Sequence, residues 1–209
     1  TDSEFVLNAD AGGAALPEGG GAPASFGMQA AEKTYVTWEI TARNPGGHSS
    51  RPRDDNAVYD LANALTNIQA YKFPISYNNL TLAYFKGTGL RTKGELGQAM
   101  RSFAANPQDT KAIQILRGDS SFIGTLGTTC VATMLRAGHA ENALPQSATA
   151  TINCRVFPGA GVDATRAQLE RIIDNPGIEF VLLDEVTETD ASPLRKDVTL
   201  AVVREWFDQ

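Results

Sequence analysis

The sequence predicts an α+β fold of the ferredoxin-like type, in which a βαββαβ order builds a four-stranded antiparallel sheet with two helices on one face. Two observations lead to this prediction. Four segments carry the alternating or short apolar pattern of strands, and two carry apolar residues at helical spacing. In chain order these segments are strand 34–42, helix 57–68, strand 128–136, strand 148–156, helix 163–173 and strand 178–183.

The first strand and the first helix meet at a turn that presents a histidine. The apolar side of the strand consists of Val36, Trp38, Ile40 and Ala42. A glycine pair before His48 lets the backbone turn sharply, so we expect this imidazole, one of two in the chain, at a corner rather than in the core. Alone, it is compatible with an incidental exposed turn as well as with function. We expect Asp54 or Asp55 to cap the helix.

Composition limits the classes of function. A chain of 209 residues with 42% hydrophobic and 20% charged residues holds one sizeable domain with fragments of a second. The net charge of −6 gives no sign of nucleic-acid binding. No apolar run approaches the roughly 20 residues of a membrane span. The chain begins in a strand pattern and ends in a helix pattern, so we expect further sequence beyond both ends. The termini therefore give no information on the cellular compartment.

The glycine-rich stretch near the start resembles a flexible loop more than a phosphate-binding loop. It lies between a short apolar strand at 5–9 and a strand expected to begin at 26–30 and return into the first sheet strand. The stretch lacks the Lys-Ser or Lys-Thr of a P-loop. Nucleotide binding is therefore not expected.

The second and third strands form a predicted hairpin centred near Asn142. This register places Cys130 opposite Cys154 on the buried face. Both a cross-strand disulfide and a reduced pair of small buried thiols remain open. The other face of the hairpin is polar and carries Thr133, Thr149, Thr151, Asn153 and Arg155.

Residues at about 80–120 form a predicted helical insertion. Their apolar residues suggest two short helices with a break at Asn106–Pro107. Asp163 is expected to cap the second helix of the sheet domain, and the last residues read as an amphipathic helix.

Two separated motifs carry a resemblance to a known family. The first is Gly47-His48-Ser49-Ser50-Arg51-Pro52 with Asn56-Ala57, and the second is Asn142-Ala143-Leu144-Pro145-Gln146-Ser147-Ala148 with Asn153-Cys154-Arg155-Val156-Phe157-Pro158-Gly159. Together they resemble the lid, or dimerisation, domain of the co-catalytic zinc aminoacylase and carboxypeptidase family. This family contains glutamate carboxypeptidase, aminoacylase, carnosinase and succinyl-diaminopimelate desuccinylase. The insertion and the closing Ala191-Ser192-Pro193-Leu194 look most like the carboxypeptidase S branch, which contains N-acyl-amino-acid hydrolases.

The resemblance implies a division of the chain. Residues 31–186 would be the lid domain, 1–30 a remnant of the catalytic-domain edge with a glycine-rich linker, and 187–209 the start of the return to the catalytic domain. That catalytic domain binds two zinc ions in the family. With only His48 and His139, this chain cannot assemble such a centre. Asp10 would be a single remaining metal ligand or simply a turn aspartate, and we expect the isolated chain to bind no zinc and to be inactive.

The resemblance also implies roles for three residues and a partner. His48 would stabilise the oxyanion in the active site of the partner subunit of a homodimer. Arg155 would bind the carboxylate of a peptide or N-acyl amino acid substrate, with Asn142 adding a hydrogen bond. The simpler alternatives are a surface ion pair for Arg155 and a turn for Asn142. His139 matches no functional position and is expected to be merely exposed. We expect self-association through an exposed sheet edge and the first helix.

Two other hypotheses stay open. One is a freestanding ferredoxin-like binding module without an enzymatic parent. The other is a self-contained hydrolase that uses His48 with Ser49 or Ser50. It is disfavoured because the chain has no Gly-x-Ser-x-Gly elbow and because a histidine so near in sequence is not expected to face its serine.

Overall fold

The computed structural model describes residues 13–15, 18–21, 25–191, 193 and 195–207. Its strands are β1 (Gly13–Ala15), β2 (Ser25–Gly27), β3 (Thr34–Arg43), β4 (Gly47–His48), β5 (Thr129–Ala137), β6 (Ala143–Leu144), β7 (Ser147–Val156) and β8 (Glu179–Leu182). Its helices are α1 (Ala57–Ala70), α2 (Asn79–Arg91), α3 (Gly94–Ala105), α4 (Thr110–Arg117), α5 (Ser120–Ile123), α6 (Val162–Ile173) and α7 (Lys196–Phe207), with a 3-10 turn at Gly124–Leu126. The predicted strand at 5–9 lies outside the described residues.

The main sheet has the strand order β5-β7-β3-β8, and each neighbouring pair is antiparallel. The two central strands pair over their whole length, from Thr34 opposite Val156 to Arg43 opposite Ser147. With α1 and α6 this gives the βαββαβ order of a ferredoxin-like sheet, which confirms the predicted fold. The prediction of a strand that begins at 26–30 and returns into β3 is wrong, because β2 ends at Gly27 and pairs with β1 instead.

The core forms where the even-numbered side chains of β3 and β7 meet the apolar stripes of α1 and α6. Trp38, at 1% exposure, is the largest of them. The other fully buried members from these four elements include Val36, Ile40, Leu61, Ile152, Cys154, Val156 and Leu169. Both helices therefore cover one face of the sheet.

Strand β5 does not have the buried face that the predicted hairpin implies for it. It lies at the edge of the sheet, and every residue from 131 to 140 is exposed. A bulge between Ala132 and Met134 also reverses the alternation. Only its first residues remain inside: Cys130 packs against the core and forms a disulfide with Cys154. Of the two states left open for this pair, the structure contains the disulfide.

The helix caps also differ from the prediction. Asn56, not Asp54 or Asp55, caps α1, and its side-chain oxygen accepts a hydrogen bond of 2.9 Å from the N–H of Val58. Asp55 forms an exposed two-bond ion pair with Arg53 instead. The short Arg-x-Asp spacing satisfies this carboxylate locally, which leaves the amide of Asn56 to cap.

At α6, Asp163 lies in the first turn, and Gly161 occupies the cap position with a φ of 80°. A glycine has no side chain to cap with, so the cap comes from elsewhere. Glu188 accepts a hydrogen bond of 2.7 Å from the N–H of Val162. The segment after β8 is thereby fixed to the start of α6.

The insertion contains four helices, α2 to α5, rather than two. The predicted break at Asn106–Pro107 falls between α3 and α4. These helices have a separate core, which consists of Phe85, Ala99, Met100, Phe103, Ala112, Leu116 and Leu126. A β-carbon on Gly97 would lie 1.8 Å from the carbonyl oxygen of Thr92, so glycine is needed where the first turn of α3 packs against the end of α2.

The chain enters and leaves the sheet domain at one point. The hydroxyl of Thr189 donates to the carbonyl of Glu32 at 2.8 Å, and the N–H of Thr189 donates to the hydroxyl of Thr34 at 3.0 Å. Farther on, α7 agrees with the predicted terminal helix. No helix in the described part of the chain combines the length and hydropathy that a membrane span requires.

Candidate functional site

His48 lies on the short strand β4, which pairs with β6. His48 is opposite Ala143, and the N–H of Ser49 donates to the carbonyl of Asn142 at 2.9 Å. Both His48 and Asn142 are exposed. The backbones of the two motifs thus pair at one end of the sheet, and each contributes an exposed polar residue there.

The turn before His48 is held by backbone geometry. Gly46 has a φ of +78°, and a β-carbon there would lie 2.7 Å from the side chain of Gln146. Asn44 accepts from the N–H of Gly46 at 2.9 Å and donates to the carbonyl of Asp55 at 2.7 Å. These bonds join the end of β3 to the segment before α1, so the corner that carries His48 is fixed on both sides.

The hydrogen bonds of His48 define which ring nitrogen carries the proton. The backbone N–H of Ser50 lies 3.2 Å from Nδ1, and the Ser50 hydroxyl lies 2.8 Å from the same atom. A backbone N–H can only donate, so Nδ1 must accept. The neutral imidazole therefore carries its proton on Nε2, which has no hydrogen-bond partner among the described residues. The Nε2–H group of His48 is therefore available as a hydrogen-bond donor to a group outside the described residues.

This contact corrects one argument against a serine nucleophile. We expected that a histidine so close in sequence would not face its serine, yet Ser50 does contact His48. A serine hydrolase also needs a group that orients the second ring nitrogen. No carboxylate in the described structure contacts Nε2, so the Ser50 contact orients the ring and does not complete a triad.

Arg155 lies at the other end of the sheet, on the face that the helices leave open. It is exposed, and its neighbours across the strands are Tyr35 on β3 and Thr129 on β5. The guanidinium carbon sits 4.6 Å from the centre of the Tyr35 ring, a cation–π contact that orients the side chain. Within the described residues Arg155 forms no salt bridge, so the surface ion pair considered as an alternative does not form there.

Lys33 is a functional candidate that the sequence reasoning missed. Its Nζ donates to the carbonyl of Gly124 at 2.8 Å and to the hydroxyl of Thr129 at 3.4 Å. Burial, followed by the nearby Arg155 charge, lowers the pKa of Lys33 from 10.5 to about 8. The alternation of β3, extended back from Tyr35, could have placed this lysine on the open face.

Lys33 and Arg155 both line a cleft of about 1170 Å³ between the insertion and the sheet domain. One wall is formed by 27–33, and a second wall is formed by α2. Phe157 and Pro158 close the side next to Arg155.

The predicted site residues do not come together within one chain. Asn142 precedes the start of β7, whereas Arg155 is close to its end. Ser147 and Arg155 are eight positions apart, which corresponds to about 27 Å at roughly 3.4 Å per residue. His48 and Asn142 therefore form one group, and Arg155 with Lys33 forms another.

The described residues do not provide a metal centre. They contain no group of three or more His, Cys, Asp and Glu side chains that could hold an ion. His139 is exposed in the segment between β5 and β6, and Asp10, the single expected ligand, lies outside the described residues.

The Peptidase dimerisation domain family matches residues 30–181, which is most of the chain. The chain therefore belongs to this family.

Among curated proteins, the chain is 24% identical over 164 residues to N-fatty-acyl-amino acid synthase/hydrolase PM20D1 of Xenopus tropicalis, covering 78% of this chain and 31% of that protein. It is 26% identical over 159 residues to probable carboxypeptidase S-like 2 of Dictyostelium discoideum, covering 75% and 30%. The chain thus spans about a third of the length of these relatives.

Among solved structures, the chain resembles the M20 family metallo-carboxypeptidase Sso-CP2 from Sulfolobus solfataricus. The TM-score is 0.51 at 13% identity, over 84% of this chain and 48% of that one. At this level of identity the similarity concerns the fold.

Proposed function

We propose that this chain is the lid and dimerisation domain of a zinc-dependent hydrolase that acts on peptides or N-acyl amino acids. The observation that carries the proposal is the separation of the two groups along the sheet. The imidazole lies beyond one end of β7 and the guanidinium near the other, with about 27 Å of strand between Ser147 and Arg155, so the two groups cannot act on one small substrate within one chain. Two copies of the domain can bring them together.

The edge strand β5 supports a specific arrangement of the two copies. Its outer side is unpaired in the described structure, and it exposes Val131, Met134 and Leu135 at 57%, 57% and 63%. Such an edge is a template for pairing with a second strand. In a two-fold dimer the two β5 strands run antiparallel. The start of one strand, next to Arg155, then lies beside the end of the other, which is near the β4–β6 pair with His48 and Asn142.

In this arrangement each substrate contacts both copies. Arg155 of one copy forms a two-bond contact with the substrate carboxylate. His48 of the other copy donates from Nε2 to the oxygen that becomes negative when the amide carbonyl is attacked. Asn142, whose carbonyl accepts from the N–H of Ser49, adds a side-chain amide hydrogen bond to the same substrate.

The metal chemistry of such an enzyme belongs to residues outside this part of the chain. Zinc would activate the attacking water there. The side chains described here do not fit a zinc centre, so we assign no step to one. The domain contributes a hydrogen-bond donor, a carboxylate-binding cation and the contact that pairs two copies.

Mixing two inactive variants of the full-length enzyme tests the shared site. His48→Ala and Arg155→Met each remove one group from both sites of their own homodimer. A mixed dimer contains one site with both groups intact. Random reassociation should therefore restore about a quarter of the wild-type activity, because half the dimers are mixed and each has one working site.

The control is a mixture of His48→Ala with a second His48 variant, His48→Gln, which should restore no more than its parents. Activity that returns in neither mixture would refute a site shared between two copies. Full activity of the His48→Ala homodimer would refute the role of the imidazole, and a freestanding binding module would then be the better hypothesis.

A further inference from the structure

The cleft between the insertion and the sheet holds two cations at one end. Lys33 reaches it from the segment before β3, and Arg155 reaches it from β7. Neither side chain forms a salt bridge within the described residues. Arg91 adds a third cation to the lining, and Glu32, the one carboxylate among the described residues that line the cleft, forms no ion pair with Lys33 or Arg155. Two positive charges therefore face the same cavity without an anion between them.

The ammonium group of Lys33 has fewer hydrogen-bond partners than it has N–H donors. An ammonium group has three N–H donors, and the structure accounts for two, to Gly124 and Thr129. Both acceptors are neutral oxygens. With a pKa of about 8, Lys33 is still mostly protonated at neutral pH, although Arg155 and burial oppose the charge. An anion in the cleft would relieve that cost.

We infer that Lys33 and Arg155 form one binding site for a head group with two negative charges, so that Lys33 is a specificity residue. The inference rests on the proposed role of Arg155 as the carboxylate-binding cation. Arg155 takes one carboxylate, and Lys33 takes the second. The matching ligand class is the amide of an acidic amino acid, such as an N-acyl aspartate or N-acyl glutamate.

The remaining lining of the cleft suits the uncharged part of such a ligand. Apolar side chains of Met28, Leu80 and Ala83 line the cleft, and Phe157 adds an apolar surface next to Arg155. An acyl group can lie against these walls while the two carboxylates lie against Lys33 and Arg155.

Titration of the 209-residue chain by calorimetry or NMR can test the inference. The probes are N-acetyl-L-aspartate with two charges, N-acetyl-L-leucine with one, and N-acetyl-L-leucinamide with none. The main variant is Lys33→Gln, which keeps a donor for the Gly124 carbonyl but removes the charge. Lys33→Arg keeps the charge, and Lys111→Met removes an exposed lysine of α4 that lines no part of the cleft.

We expect the wild-type chain to bind the dianion about tenfold more tightly than the monoanion, since a hydrogen bond to a charged group typically contributes that much or more. Lys33→Gln should lose this preference and retain monoanion binding. Lys33→Arg should keep most of the preference, and Lys111→Met should behave as wild type. A purely structural lysine would instead lower the thermal stability in Lys33→Gln without changing the ratio.

Three results would overturn the inference: wild-type chain that binds none of the probes, wild-type chain without preference for the dianion, or a preference that survives in Lys33→Gln. The Arg155→Met variant distinguishes failure of the inference about Lys33 from failure of the proposed role of Arg155. If Arg155→Met leaves monoanion binding intact while Lys33→Gln loses the dianion preference, the role of Arg155 is refuted and that of Lys33 stands.

Discussion

Reduction of the disulfide between Cys130 and Cys154 should lower the free energy of unfolding by about 3 kcal/mol. The bond joins residues that are 24 positions apart. Restricting a loop of that length in the unfolded chain is worth about 3.5 kcal/mol in the loop-entropy description, and engineered and natural cases commonly fall slightly below that figure. Cys154 is fully buried and stays buried as a thiol, so packing adds little. The effect should be largest in β5, which is an edge strand and pairs with a neighbouring strand on one side only in the described sheet.

Urea unfolding with and without reductant measures this difference, with the fluorescence of the buried Trp38 as a signal. The matched control is the double variant Cys130→Ala and Cys154→Ala, whose unfolding should not respond to reductant. Hydrogen exchange should show faster exchange in 131–137 after reduction. Two free thiols in the untreated protein, or an unfolding midpoint that does not move after complete reduction, would refute the reasoning.

Two further predictions concern the edge strand and Lys33. Leu135→Lys should weaken self-association about tenfold or more in sedimentation experiments because it places a charge on the pairing edge. The control is Leu90→Lys on an exposed position of α2, which should dimerise as wild type does. Equal dimerisation of the two variants would contradict pairing through β5. The folded-state pKa of Lys33, about 8, lies below its ordinary value of 10.5, so the unfolded chain binds more protons between these values and the free energy of unfolding should rise with pH in that window. Urea unfolding of wild type and Lys33→Met on both sides of pH 8 checks this, and an identical pH dependence of the two proteins would show that burial does not perturb the lysine.

The central part of the fold could be predicted because its patterns are local and strong. The alternation of β3 and β7 follows from burial of one face, and the register of the hairpin follows from its turn. The exposure of β5 could not be predicted, since an apolar strand at a sheet edge reads like a central one. The caps were missed for a similar reason: Asp55 is a good capping residue, but its pairing with Arg53 depends on the folded turn.

The candidate site was predictable as residue types and not as an arrangement. The motifs identify His48, Asn142 and Arg155, yet motif order does not reveal that Arg155 lies at the opposite end of the sheet from the other two. Lys33 was missed because nothing in its local sequence shows that Gly124, far along the chain, would bury it. That contact exists only once the insertion packs beside the sheet.

The hydrogen bonds of Thr189 to Glu32 and Thr34 make the domain a closed loop of chain with a single point of attachment. A unit closed in this way can sit in a surface loop of a host protein without forcing apart the two ends that it interrupts.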